Sequence, residues 1–195
     1  MTPSITPKGE ATRVRIMEAA TAEFARYGIA GARVDRIAAA ANSNKAQLYA
    51  YFGSKDQLFD IVFETSMRSI MEVVPISADD LADWAVRLYD EYLERPELIR
   101  LATWARLERR PTGHLVEERM DDLKLAAIGS AQESGEIGGP AARAAPFDVM
   151  AMVIAMSMAW SPVSNVYAAT ADEPRRVHEQ RRDFLRETVR RAFAP

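Results

Sequence analysis

The stretch RVDRIAAAANSNKAQLYAYFGSKDQLFDIVFETSMRSIME, residues 33–72, decides the fold. It reads as three helices in tight succession, joined by short connections. Val34, Ile37 and Ala41 mark the first, over 33–41. Residues 45–52 form the second, only about two turns long. The third starts at Ser54 and runs through Leu58, Phe59, Val62, Met67 and Ile70 until Pro75 ends it. Asn44 with Gln47, and Ser54 with Gln57, have the spacing of capping boxes at two of these starts. A helix as short as 45–52 is marginal alone. Propped against two larger helices, it presents its outer face to a partner, and duplex DNA is the commonest target of that geometry.

An angular count sharpens this. With Leu48 pointing inward and a step of about 100° per residue, Phe52 falls about 40° away on the same face. Leu48 and Phe52 are therefore the anchors. Ala46 and Ala50 are the most outward positions, flanked by Gln47 and Tyr49. Small residues at closest approach let a helix sit deep in a major groove. Gln47 has the chemistry to pair with the N6/N7 edge of adenine, and Tyr49 to touch a thymine methyl or a phosphate. Lys45 and Lys55 stand at helix N-terminal ends, where ammonium and backbone N–H groups act together on phosphate oxygens; Arg33 is a similar candidate.

Outward from this stretch, nearly every periodic segment is helical. Residues 10–27 place Val14, Met17, Ala20, Phe24 and Tyr27 at helical steps, then stop at Gly28. Residues 79–95 are amphipathic, with Leu81, Trp84, Ala85, Leu88 and Tyr92 on one face and Asp80, Asp83, Asp90, Glu91 and Glu94 mostly elsewhere. Residues 97–110 read as apolar up to Leu107. Residues 114–133 carry a stripe of Val116, Met120, Leu123 and Ala127. SGEIGGPAARAAP (134–146) is the clearest linker. A Met-rich helix over 147–160 is broken or kinked by Pro162, and a last helix over 173–193 turns Val177, Phe184, Leu185, Thr188 and Ala192 one way. The expectation is an all-α protein of about nine helices. Val153, Met156 and Trp160 beside Val177, Phe184 and Thr188 offer more apolar surface than one small domain needs. That suggests pairing of these two helices with the same two from a second subunit, or else burial within one chain.

The chain has 195 residues, 48% hydrophobic and 27% charged, which suits a folded globular protein and argues against disorder. It has no cysteine, which removes disulfides, thiolate metal sites and cysteine nucleophiles together. The start, MTPSITPKGE, has no apolar run, so no signal peptide is expected. The most apolar run, 149–160, is too short to span a bilayer. The expected location is the cytoplasm. The net charge of −3 is unevenly spread. Residues 1–55 carry eight Lys/Arg against four Asp/Glu, residues 56–172 ten against twenty, and residues 173–195 seven against four. A basic head on an acidic body points to the head as the part that meets phosphate.

The pattern resembles the tetracycline-repressor (TetR) family of bacterial transcription regulators, specifically over about residues 10–65. EFARYG, with Phe24 four residues before Gly28, is similar to the end of that family's first helix. VDRIAAAA is similar to its second. NKAQLYAYFGSKDQLF is similar to its recognition helix, aromatic exit and Ser-Lys start of the fourth helix. The resemblance implies that Lys45, Tyr49, Tyr51 and Lys55 contact DNA while Leu48 and Phe52 are core. There are departures. The turn has Asn42 and Ser43 where the family usually has a glycine and an apolar residue, and Asn tolerates the left-handed conformation. Ala32 and Arg33 replace the Ser/Thr often found before the second helix. The candidate DNA-binding set is thus Arg33, Ser43, Asn44, Lys45, Gln47, Tyr49, Tyr51 and Lys55. The resemblance also implies a head at 1–55 and a helical ligand-binding and dimerisation domain at 56–195, with a homodimer through the last two helices. It implies a double-stranded DNA operator of two-fold symmetry and a small-molecule effector that shifts DNA affinity by linkage through the fourth helix. Met67, Met71, Trp84, Trp104, Met120, Met152, Met156 and Trp160 are the candidate effector contacts, as Met and Trp suit an adaptable apolar cavity.

Two other classes remain open. An enzyme would draw on His114 and His178 alone for imidazole bases, and no metal-ligand spacing, phosphate loop, nucleophile elbow or cofactor motif appears. An all-helical interaction module would use the basic terminal helix, Arg175 to Arg191, as its partner surface.

Overall fold

The computed structural model describes residues 7–116 and 120–195. It is all helical, with no strand among the described residues. The helices are α1 (Pro7–Gly31), α2 (Val34–Ala40), α3 (Lys45–Phe52), α4 (Lys55–Val73), α5 (Leu81–Glu94), α6 (Pro96–Glu108), α7 (Asp122–Ser134), α8 (Pro146–Ser157) and α9 (Arg175–Phe193). A short 3-10 turn, Gly139–Arg143, lies between α7 and α8. The chain forms two compact units. The first holds residues up to Arg68 together with Arg100–Leu115, and the second holds Ser69–Ile99 with Val116–Pro195.

In the first unit α1, α2 and α3 pack on one another around Ile16, Ala20, Phe24, Ile37, Leu48 and Phe52, all essentially buried. Phe24 meets Phe59 of α4 edge-on at 5.2 Å, and Phe59 stacks on Phe63 at 6.1 Å. Burial of one such side chain is worth about 1.5–3 kcal/mol, which is what holds an eight-residue helix such as α3 in place. The α1 stripe differs from its expectation. Val14 and Tyr27 are exposed, and Ile16 takes the buried place. Tyr27 instead lies under the Arg36 guanidinium, 4.3 Å from its ring centroid. Contact with α2 therefore rotated the buried face away from the most apolar periodicity.

In the second unit α5 lies against α9 and α8, and α7 against α8. Trp84, Leu88, Tyr89 and Tyr92 of α5, Ile128 of α7, Val149 and Val153 of α8, and Leu185 and Val189 of α9 form its core. Four expectations are corrected here. Leu107, which falls in the first unit, is exposed, so the apolar run of α6 is not buried to its end. Leu123 is 85% exposed, and the buried stripe of α7 is Ile128 with Ala131. The predicted 114–133 helix starts only at Asp122, and its residues 117–119 lie outside the described residues, as do residues 1–6 of the head. Helix α8 stops at Ser157 rather than 160: the chain tightens into turns there, with the Met158 carbonyl accepting the Ser161 N–H at 2.9 Å ahead of Pro162. Glu91 departs from its acidic neighbours: it is buried on α5 and paired with Arg95 at 3.2 Å.

Candidate nucleic-acid interface

The turn before α3 is built by its side chains. Asn42 has φ +48°, the left-handed conformation that its short amide tolerates. Asn44 then caps α3, its side-chain oxygen accepting the Gln47 N–H at 2.9 Å. The Ser43 hydroxyl donates to Gln47 Oε1 at 2.9 Å, so turn and helix are tied twice. Six residues after Gln47 the aromatic exit reaches Gly53 at φ +75°, and Ser54 caps α4 by accepting the Gln57 N–H at 3.1 Å.

On α3 itself Leu48 is fully buried and Phe52 nearly so. Lys45, Ala46, Gln47, Tyr49 and Ala50 are exposed, Tyr49 by 44%. Tyr51 is half-buried, its ring edge-on to Phe52 at 6.2 Å. One outer face thus presents two alanines flanked by an amide and a phenol. Lys45 is ion-paired with Asp35 of α2, and Arg33 stands 3.9 Å from the same carboxylate. Both cations are more than half exposed, and so available to exchange that partner for a phosphate.

Lys55 has a different environment. Its ammonium donates to the Ile29 carbonyl at 2.8 Å and to those of Ala32 and Ala30 at 3.3 and 3.5 Å. The cation therefore closes the end of α1, where unsatisfied carbonyls and the helix dipole favour it.

Two supports were not visible in local sequence. The first is Glu23, buried on α1. Its Oε1 accepts the Arg33 N–H at 2.8 Å and the Arg36 Nε–H at 2.7 Å. This carboxylate does for α2 what the missing Ser/Thr would have done, and it raises the Arg36 pKa through that hydrogen bond. The second is Glu108, whose two oxygens accept the N–H groups of Ile29 and Ala30 at 3.0 and 2.8 Å. These N–H groups are freed because Gly28, at φ +70°, breaks α1. Trp104 lies in the same place, its indole N–H donating to the Ala25 carbonyl at 3.3 Å. No sequence spacing announces partners that lie about eighty positions away.

The other candidates divide between the units. Met67 and Trp104 belong to the first. Met71, Trp84, Met120, Met152, Met156 and Trp160 belong to the second. Trp84 is buried and donates to the Val74 carbonyl at 3.4 Å. Met152 is half exposed, and Met71, Met120, Met156 and Trp160 are half-buried. On α9 Phe184 is 64% exposed, although its ring touches Trp160 edge-on at 6.3 Å. With Phe147 and Met152 of α8 it leaves apolar surface on the last two helices open. No group of His, Asp and Glu among the described residues could hold a metal ion. No helix among them is long and apolar enough to cross a membrane.

A short helix anchored by two side chains, preceded by a tight turn and presenting a small-residue face, defines a helix-turn-helix protein. Residues 16–62 match the family described as bacterial regulatory proteins, tetR family, and residues 80–191 match the tetracyclin repressor-like C-terminal domain. The HTH-type transcriptional repressor SCO4008 of Streptomyces coelicolor is 45% identical over 152 residues, 76% of this chain and 77% of that protein. The HTH-type transcriptional repressor NicS of Pseudomonas putida is 34% identical over 99 residues, 47% of each chain. The crystal structure of SCO4942 from Streptomyces coelicolor aligns with a TM-score of 0.77 at 34% identity, covering 94% of this chain and 99% of that one. The chain belongs to the TetR family, and it is a DNA-binding transcriptional regulator.

Proposed function

We propose that this regulator is a repressor that binds a two-fold-symmetric operator as a homodimer and changes its DNA affinity when a small molecule binds. The outward face of α3, beside the exposed cations of Arg33 and Lys45, carries the reading of the head. Residues 1–55 act as the DNA-binding domain and residues 56–195 as the ligand-binding and dimerisation domain. Gln47 and Tyr49 read base edges. Arg33, Lys45, Ser43, Asn44 and Tyr51 hold the backbone, and Lys55 contributes from the first turn of α4 while its ammonium secures α1. The names of SCO4008 and NicS support repression. The exposed Phe147, Met152 and Phe184 support dimerisation through α8 and α9. An effector site among Met71, Trp84, Met120, Met152, Met156 and Trp160 of the second unit is part of the same reading.

A footprint on the DNA upstream of the chain's own gene tests it. The expected result is a salt-sensitive protection of two-fold symmetry, lost progressively as salt rises. Absence of any binding at low salt would sink the proposal.

A further inference from the structure

Three side-chain atoms among the described residues are buried without a hydrogen-bond partner: Ser161 Oγ, His178 Nε2 and Arg181 Nη1. All three belong to the second unit, and His178 and Arg181 stand three residues apart on α9. Tyr89 of α5 joins two of them: its hydroxyl is 2.8 Å from His178 Nδ1, and its phenol and the Arg181 guanidinium act on each other electrostatically. Arg181 also pairs with Glu173 at 2.9 Å and lies over the rings of Trp160 and Tyr167 at 5.9 and 5.1 Å. Trp160 meets the Tyr89 ring edge-on at 6.1 Å, and Ser161 follows it directly. The segment from Trp160 to Ala169 is closed at its base by the Ala169 N–H on the Trp160 carbonyl at 3.1 Å. It carries both Ser161 and the half-exposed Tyr167.

Proton bookkeeping assigns each atom a role. Arginine only donates, so in any Arg181–Tyr89 bond the phenol oxygen accepts, which leaves the phenol proton for His178 Nδ1. An imidazole that accepts at Nδ1 carries its own proton at Nε2. The unpartnered groups are therefore an imidazole N–H, guanidinium N–H groups and a hydroxyl. Burial and the bond to Tyr89 act on Arg181 in opposite directions, and the hydrogen bonds to Tyr89 and Glu173 leave its pKa raised. Donors outnumber acceptors here, since of these groups only the Ser161 hydroxyl can also accept. A negative charge is not lacking, because Glu173 already balances Arg181 and Asp90 balances the adjoining Arg182 at 2.7 Å.

We propose that Ser161, His178 and Arg181 form a binding site for the carbonyl oxygen of a small uncharged molecule, walled by Trp160 and Tyr167 and entered by displacement of Tyr167. This rests on the reading of the second unit as effector-binding. It places the acceptor end of the effector at the N-terminal part of α9 rather than among the methionines. Buried donors of this kind reject an analogue that lacks the matching oxygen, since each is then left unpaired.

The experiment is NMR of isotope-labelled histidine in the full chain near neutral pH, with acetone, acetate and xenon as probes. The free protein is expected to show His178 as the Nε2–H tautomer. Acetone is expected to give a saturable downfield shift of that proton, weakened at least about tenfold in Ser161→Ala and Arg181→Met. Acetate should bind more weakly and xenon should leave the proton unmoved. An Nδ1–H tautomer, no response to acetone, tighter binding of acetate, or an equal shift with xenon would each overturn the proposal. So would a proton that contacts only a long-lived water that acetone does not displace. The tautomer needs no variant, and Ser161→Ala removes one atom, so misfolding of Arg181→Met leaves the test intact. A gel shift on the same ligand-free sample reads DNA binding separately, so failure of the site and failure of the regulator reading are told apart.

Discussion

Glu23 holds the start of α2: its Oε1 accepts the amide N–H of Arg33 at 2.8 Å. The same oxygen receives Arg36, so one buried carboxylate sets the first helix of the helix-turn-helix against α1. Glu23→Ala leaves that N–H and the guanidinium without their acceptor. It is expected to destabilise the protein by about 1–3 kcal/mol, read as a lowered urea midpoint by circular dichroism. Glu23→Gln keeps an acceptor but loses the charge, and should cost less. An alanine variant as stable as the parent would remove Glu23 from this role.

Gly28 and Glu108 form the second support. A Cβ on Gly28 would stand 2.5 Å from Glu108 Oε1 and 2.9 Å from the Trp104 ring, at a backbone φ of +70°. Gly28→Ala should therefore cost at least about 1–2 kcal/mol from the left-handed conformation alone. Gly31→Ala is the control, since its Cβ would meet only the Tyr27 Cβ, at 3.4 Å. Equal melting temperatures for the two variants would contradict this account.

The DNA face separates reading from holding. Gln47→Ala should weaken binding mainly at one or two base positions, by about 1–3 kcal/mol there. Lys45→Ala should weaken all sequences alike and flatten the salt dependence by about one unit of slope. Binding titrations against a set of single-base operator variants at several salt concentrations measure both. Uniform losses for Gln47→Ala would end its base-reading assignment.

Phe184, 64% exposed on α9, tests dimerisation. Phe184→Glu puts a charge on the proposed interface, where an unpaired carboxylate is costly to desolvate. Sedimentation velocity is expected to show a dimer for the parent and a monomer for the variant, with operator affinity falling alongside. A variant that sediments as a dimer would place the interface elsewhere.

Tyr92 predicts alkaline behaviour. Burial raises its phenol pKa far above the ordinary tyrosine value, with the nearby Glu91 adding to the effect. The folded state therefore holds the proton more tightly than the unfolded state. The stabilisation is complete below about pH 10, the unfolded tyrosine pKa, and is lost as pH rises from there toward the folded value. One such group lowers stability by up to about 1.4 kcal/mol per pH unit in that window. Urea titrations above pH 10 should show a shallower decline for Tyr92→Phe than for the parent. Identical slopes would mean that other groups govern alkaline unfolding.

Much of the head was legible locally. Asn44 with Gln47 and Ser54 with Gln57 announced two helix starts, and both bonds form. The step of Leu48 to Phe52 gave the buried side of α3, and with it the outward alanines. Asn42 in a turn that wanted glycine takes the left-handed conformation. These readings succeed because each depends on residues within one or two turns, where backbone geometry alone sets the relation. The second unit was harder. Helix order was clear, but the stripe of α7 was misplaced because the exposed Leu123 points the apolar periodicity to the wrong face and the alanines add no direction.

The amino-acid sequence by itself determined the number and order of the helices, the inward face of α3 and the family. Tertiary structure alone decided the long-range partners of the charged groups. Lys55, expected at DNA, turns its ammonium to the carbonyls that end α1. Glu23 and Glu108 cap helices across ten and about eighty positions, and His178 is buried against a tyrosine 89 positions away. A long polar side chain reaches whichever donor or acceptor packing leaves unsatisfied, and which one that is becomes defined only when the helices have docked.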